Sequence, residues 1–152
     1  MKRSQVLAKI EEAYGEFIES FVGLSDDQLL ESGVTGDWSV KDLIAHVSWW
    51  EGESLKHLPI ILQGLRPPRY SVLYGGIDAF NAQMTELKRN TSLSEVLKEA
   101  AATHQKLLEY LSNIPEEQFT SETRFRRRLG YDSFKHYPIH TAAIRAWRDR
   151  LA

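Results

Sequence analysis

His136 and His140 stand four residues apart in the run Tyr131–Trp147, YDSFKHYPIHTAAIRAW. On a helix that spacing stacks two imidazoles one turn apart on one face. Two histidines so placed can grip one divalent ion, as in the HExxH helix of zinc enzymes. The residue after His136 is Tyr137 rather than glutamate, so this is a different pattern, and a third ligand has to come from elsewhere in the chain.

Further groups that could move protons lie on two other helical stretches. Counting 100° per residue, His46, Trp50, Glu53 and His57 form one stripe of the helix that opens at WSVKDLIAHVSWWE. A helix that puts histidine, tryptophan and glutamate where leucine would be buried breaks the simple core pattern, and such breaks concentrate at functional sites. Glu53 is the nearest general-base candidate, two turns from His46; its structural alternative is a surface glutamate. His104 sits in the middle of an apolar stripe. It reads as a core histidine satisfied by hydrogen bonds, or as a metal-free acid or base.

The elements that must carry these residues are all helical. The spacing of Val6, Ile10, Ala13, Tyr14, Phe17, Ile18 and Phe21 predicts a first helix from a Ser4 cap to about Leu24. Ser25 caps a short acidic turn. The second long helix starts after Trp38, with Ser39 and Asp42 approximating a capping box, and stops near Gly64. Residues 65–76, LRPPRYSVLYGG, read as a loop rich in tyrosine that covers one end of the molecule. A shorter helix over 77–89 points Ile77, Phe80, Met84 and Leu87 inward. Ser92 caps the next helix, to about Ser112, with an inward stripe from Leu93 to Leu111. A second acidic turn, NIPEEQF, echoes the first, and the basic run RFRRR (124–128) is a solvated connector before a last helix that begins near Ser133. With no strand pattern, the fold class is all-α, a four-helix bundle with long connections whose ligand site lies between facing helices.

Composition narrows the function classes. The 152 residues make one domain, large enough to bury a core without staples. A net charge of −2 argues against a general nucleic-acid binder, and the absence of cysteine removes disulfides, thiolate metal sites and cysteine nucleophiles. The first ten residues are too polar for a signal peptide and no apolar run reaches membrane length, so a cytoplasmic protein with no membrane contact is expected. There is no phosphate-binding glycine loop and no nucleophile elbow.

WSVKDLIAH, then Trp50-Glu51, then IDAFNAQ and the closing FKHYPIHTAAIRAW together resemble the ClbS/DfsB family of DinB-like four-helix bundles. The likeness covers roughly residues 4–150. It implies the DinB-like bundle, and it implies for many relatives a divalent metal held by one histidine of the second helix and two of the last; the matching positions are His46, His136 and His140. The ion would be zinc, nickel or manganese, and three nitrogen ligands would leave positions open for water, as in catalytic sites. The family's namesake protects its producer from the genotoxin colibactin, as a hydrolase that opens an electrophilic cyclopropane without a metal. The resemblance therefore implies a small-molecule resistance or detoxification protein that inactivates a small electrophile, with a metal-dependent hydrolase or thiol transferase, and a non-catalytic sequestering protein, as the alternatives. Glu53, His104 or Tyr137 would handle protons. Trp49, Trp50, Tyr70 and Tyr74 would line the pocket, and Asn81 would fix helix packing or line it as well. Relatives of this kind often pair through helix faces, so a homodimer is a further expectation.

Overall fold

The computed structural model describes residues 1–152 as nine helices: α1 Arg3–Glu19, α2 Asp26–Leu30, α3 Val40–Leu62, α4 Tyr70–Leu73, α5 Ile77–Lys88, α6 Leu93–Ser112, α7 Glu117–Thr120, α8 Arg124–Asp132 and α9 Tyr137–Leu151. There is no strand; the only β-type pairing is an isolated bridge between Thr35 and Trp38. The all-α expectation holds. No helix is long and apolar enough to cross a membrane.

The molecule is arranged around α3. Its first half is buried on nearly every face, through Val40, Leu43, Ile44, Ala45, His46, Val47, Trp49, Trp50 and Glu51. A helix surrounded in this way belongs at the centre, and α3 packs against α6, α8 and α5 while α1 packs against α9. Ser39 starts it with a reciprocal cap: its Oγ accepts from the Asp42 amide at 3.1 Å, and Asp42 Oδ2 accepts from the Ser39 amide at 2.9 Å. Ser39→Ala removes half of this cap. It is expected to cost about 1 kcal/mol, lowering the thermal midpoint by roughly 2–4 °C in a calorimetric scan. At the other end Gly64, with φ of +83°, closes the helix. Its amide reaches Ile61 O and the Leu65 amide reaches Ile60 O, satisfying two last-turn carbonyls.

Several boundaries differ from the sequence expectation. α1 is capped at Lys2, whose amide donates to Gln5 Oε1, and not at Ser4. It ends at Glu19; residues 20–23 are turns, closed by Ser20 Oγ donating to Phe17 O. The loop over 65–76 contains the short α4. On α5 only Phe80 is buried, and Ile77 and Leu87 are exposed, because α5 presents just one side to α3 and α4. The basic run 124–128 is the first part of α8: Thr123 caps it, Phe125 and Leu129 anchor it in the core, and the arginines fan out around them.

The largest difference sets up the site. α9 begins at Tyr137, not near Ser133, and His136 is its N-cap. α8 breaks at Ser133, whose φ of −132° and ψ of −104° leave the helical region. Ser133 is fully buried and its Oγ donates to Leu129 O. The amides of His136 and Tyr137 then fold back onto Ser133 O at 2.8 and 2.9 Å. Gly130 makes room for this turn, since a Cβ there would stand 3.2 Å from the Phe134 ring. Pro138 in the first turn of α9 has no amide proton to leave unpaired.

Candidate metal centre and adjoining cleft

Three imidazoles converge where α3 meets the α8–α9 turn. His46 Nε2 lies 3.0 Å from His136 Nε2, which lies 2.9 Å from His140 Nε2. One ring nitrogen from each falls within 4.8 Å of the others. The i, i+4 relation between His136 and His140 survives even though His136 precedes the helix, because an αR cap residue continues the helical path. Trp38 and Trp49 wall the cluster, their rings 4.8 and 5.1 Å from that of His46.

Burial keeps these rings neutral. It pushes His46 down to about 2, helped by repulsion from His136 and His140. His136 falls to about 3, again by burial and then by His140, and His140 to about 4 by burial alone. Neutral imidazoles are the form that binds metal. Nitrogens sharing a zinc at about 2.0–2.1 Å in tetrahedral array stand about 3.3 Å apart, so small ring rotations suffice and the donor set fits a borderline ion. The protein alone satisfies the cluster poorly: each neutral ring has one N–H and one lone pair, and the buried Nδ1 atoms of His46 and His136 have no partner. Those Nδ1 groups also lack the outer acceptor that normally strengthens a metal-binding histidine.

The shifts predict a pH effect with a definite sign. Each ring has a folded pKa below its ordinary value of 6.5. The stability they allow is complete above pH 6.5 and is lost as pH falls toward their folded values, because the unfolded chain takes up protons that the folded one refuses. In metal-free protein the unfolding midpoint is expected to drop between pH 6.5 and 4. Replacing all three by glutamine should flatten that part of the curve; an unchanged slope would mean that other groups set it.

A cleft of about 260 Å³ adjoins the cluster, lined by His46, Trp50, Ile77, Asn81, Tyr131, Asp132 and His136. It lies between α3, α5 and the end of α8, rather than simply between the second and last long helices. Asn81 organises it. Its Oδ1 accepts from Trp50 Nε1 at 2.9 Å and from Trp49 Nε1 at 3.4 Å, so one amide fixes both indoles. Trp49 itself faces a separate cleft with Ala45, Ser48 and Met84. Tyr70 and Tyr74 pack against Phe80, with Tyr70 5.3 Å from the Trp50 ring, and stand behind the cleft rather than in it.

The three proton-handling candidates lie elsewhere. Glu53 accepts from Tyr70 OH at 3.0 Å. His104 and Tyr137 meet at Glu51, which the motif Trp50-Glu51 contains without assigning it a role; it is fully buried, and its Oε2 takes Tyr137 OH at 2.6 Å and pairs with His104 Nδ1 at 2.6 Å. His104 Nε2 reaches the exposed Glu11 at 2.9 Å, and Tyr14 stacks on the imidazole at 3.6 Å. Burial lowers the His104 pKa, but hydrogen bonds and charge from Glu51 and Glu11 outweigh it, so the net shift is upward. Burial and Glu51 push the Tyr137 phenol up, which keeps its proton in place. Asp132, likewise given no role by the motifs, lines the cleft itself. Its carboxylate sits four residues before His136, continuing the four-residue spacing of His136 and His140.

Helices packed around α3, with a three-histidine cluster where α3 meets the α8–α9 turn, make a DinB-like bundle. The chain belongs to the DinB superfamily, whose family model matches residues 9–143. Solved structures agree. DfsB, described as a sibling lethal factor precursor, superposes with a TM-score of 0.81 at 16% identity, over 99% of this chain and 97% of that one. The colibactin self-resistance protein ClbS, in complex with a dsDNA, gives 0.82 at 12% identity, over 99% and 98%. A protein from Streptococcus pneumoniae gives 0.81 at 14% identity, over 98% and 91%. No curated protein matches the sequence.

Proposed function

We propose that this protein is a DinB-type enzyme, acting in the cytoplasm, that inactivates a small electrophilic molecule in the cleft beside the three histidines. The observation that carries this reading is the convergence of three neutral imidazole nitrogens beside that cleft, two of them on its lining residues His46 and His136. His46, His136 and His140 would hold one divalent ion, zinc, nickel or manganese. When bound, such an ion supplies Lewis acidity and lowers the pKa of water toward roughly 7. The chain's own residues do the rest. Trp50, Ile77 and Tyr131 offer an apolar seat, and Asn81 holds Trp50 in its orientation. The two nucleophiles consistent with this cleft are water, for hydrolysis, and a low-molecular-weight thiol, for transfer.

A metal-free reading has one observation in its favour, the missing outer acceptors on His46 and His136. In that case the cleft would support ring-opening hydrolysis like that of ClbS. Duplex DNA, which ClbS binds in its complex, is not our choice of partner for this chain. Arg126 pairs with Glu122, just ahead of α8, and Arg128 with Asp132, so two of the four arginines of the basic run are already paired within the chain.

The test offers metal-loaded protein a tenfold excess of strained-ring electrophiles, cyclopropanes and epoxides, with and without a thiol. Product well beyond one equivalent is expected. Consumption that stops at one equivalent would identify a sequestering protein instead.

A further inference from the structure

Asp132 is a carboxylate with an unusual placement. It is 95% buried by its 5% exposure, yet it borders the cleft that holds His46 and His136. Both of its hydrogen bonds fall on one oxygen. Oδ2 accepts from Ser54 Oγ at 2.5 Å and from Arg128 Nε at 2.6 Å. Burying a carboxylate is costly unless it is paired, and here the pairing is built in layers. Arg128 also donates to Tyr70 OH at 3.0 Å; Tyr70 OH donates to Glu53 Oε1 and stands 3.3 Å from His57 Nδ1. Residues from α3, α4 and α8 thus hold one oxygen still. An ion pair needed only for stability would do as well at the surface, as the pair of Arg126 with Glu122 beside the start of α8 does.

We propose that Asp132 is the proton acceptor of the cleft, a catalytic residue that works through Oδ1 while Arg128 and Ser54 position it through Oδ2. The proposal rests on the reading of the cleft as a site for small electrophiles. As a nucleophile attacks, its O–H or S–H bond breaks and the proton passes to Oδ1. The new bond forms to the electrophilic carbon, and the bonding pair of the opening ring goes to the leaving atom. That atom then takes the proton from Asp132, which returns the carboxylate. Glu53, Arg128 and Tyr70 act as positioning residues for this group. The raised pKa of Asp132, which burial drives against the opposing pull of Arg128 and Ser54, suits an acceptor better than an ordinary surface aspartate would.

The experiment uses 1,2-epoxy-3-(4-nitrophenoxy)propane, an aromatic epoxide that esterifies carboxylates open to it. The carboxylate oxygen attacks a ring carbon, the C–O bond opens, and the alkoxide takes a proton from water. Trypsin then releases Leu129–Lys135, LGYDSFK, in which Asp132 is the only carboxylate, while His136 and His140 leave on the following peptide. Fragment masses are expected to place the label on Asp132 at least tenfold faster than on exposed acids such as Asp26, and Asp132→Asn should abolish it. Label confined to the histidine peptide or to exposed acids, or label that persists on the Leu129–Lys135 peptide of Asp132→Asn, would overturn the assignment. Metal content of the same samples is measured separately. Label on Asp132 in protein that takes up no metal on incubation with each ion would sink the metal reading and leave this one standing.

Discussion

Glu51→Ala is expected to cost about 3–5 kcal/mol, as removal of one partner of a buried ion pair does, as much as truncating a buried core phenylalanine. For a protein of this size that lowers the thermal midpoint by roughly 6–20 °C. The reason is specific. Glu51 is fully buried and takes both Tyr137 OH and His104 Nδ1 on one oxygen. Its loss leaves the phenol and the imidazole buried without their acceptor, between α1, α3, α6 and α9. The penalty also has a pH sign. The His104 pKa is raised in the fold, so the stability from its proton is complete below 6.5 and is lost as pH rises through the folded value. The gap between wild type and Glu51→Ala should be widest below pH 6.5 and narrow in alkali. A calorimetric difference under about 1 kcal/mol at pH 6 would mean that the core tolerates an empty site here.

The second large effect concerns the histidines. His140→Ala is expected to weaken zinc binding by about a hundredfold or more, given that loss of even an outer hydrogen-bond partner of a ligand costs 10–100-fold. Two nitrogens would remain, on His46 and His136. His57→Gln is the control, because His57 contacts Tyr70 and not the cluster. Equal affinity in His140→Ala and wild type, both folded by circular dichroism, would remove the three-nitrogen site. Equal losses in His140→Ala and His57→Gln would point to a general effect on the fold.

Much of this architecture is legible in the residues. Apolar spacing locates the long helices, and the Ser39–Asp42 cap and the Gly64 stop bracket α3 because both are local signals with a fixed geometry. The start of α9 is not legible. Residues 133–136 look helical by pattern, and the break comes from the tertiary burial of Ser133 and from Phe134 packing over Gly130. The basic run 124–128 misleads for the same reason, since its helix is held by the two buried side chains Phe125 and Leu129 amid arginines. At the site, the convergence of His46 with His136 and His140 follows the family resemblance, and the geometry bears out the clustering. Asn81 both fixes helix packing and lines the cleft. Glu53, His104 and Tyr137 fall in other networks, because a helical stripe gives a direction and not a partner. His57 shows the same limit, lying on the stripe of His46 yet bonding to Tyr70. Asp132 and Glu51 were within reach of sequence reasoning: one continues the spacing of the two histidines, and the other is an acid set beside Trp49 and Trp50. What reveals them is burial, which a polar residue type argues against until its partners are seen.

The most direct test of the account is the metal content of untagged protein purified without chelator, read by elemental mass spectrometry. Near one equivalent of zinc, nickel or manganese is the predicted result, with loss of that metal in His140→Ala. Protein that carries no metal, and takes up none when incubated with each ion in turn, would contradict a metal centre at His46, His136 and His140.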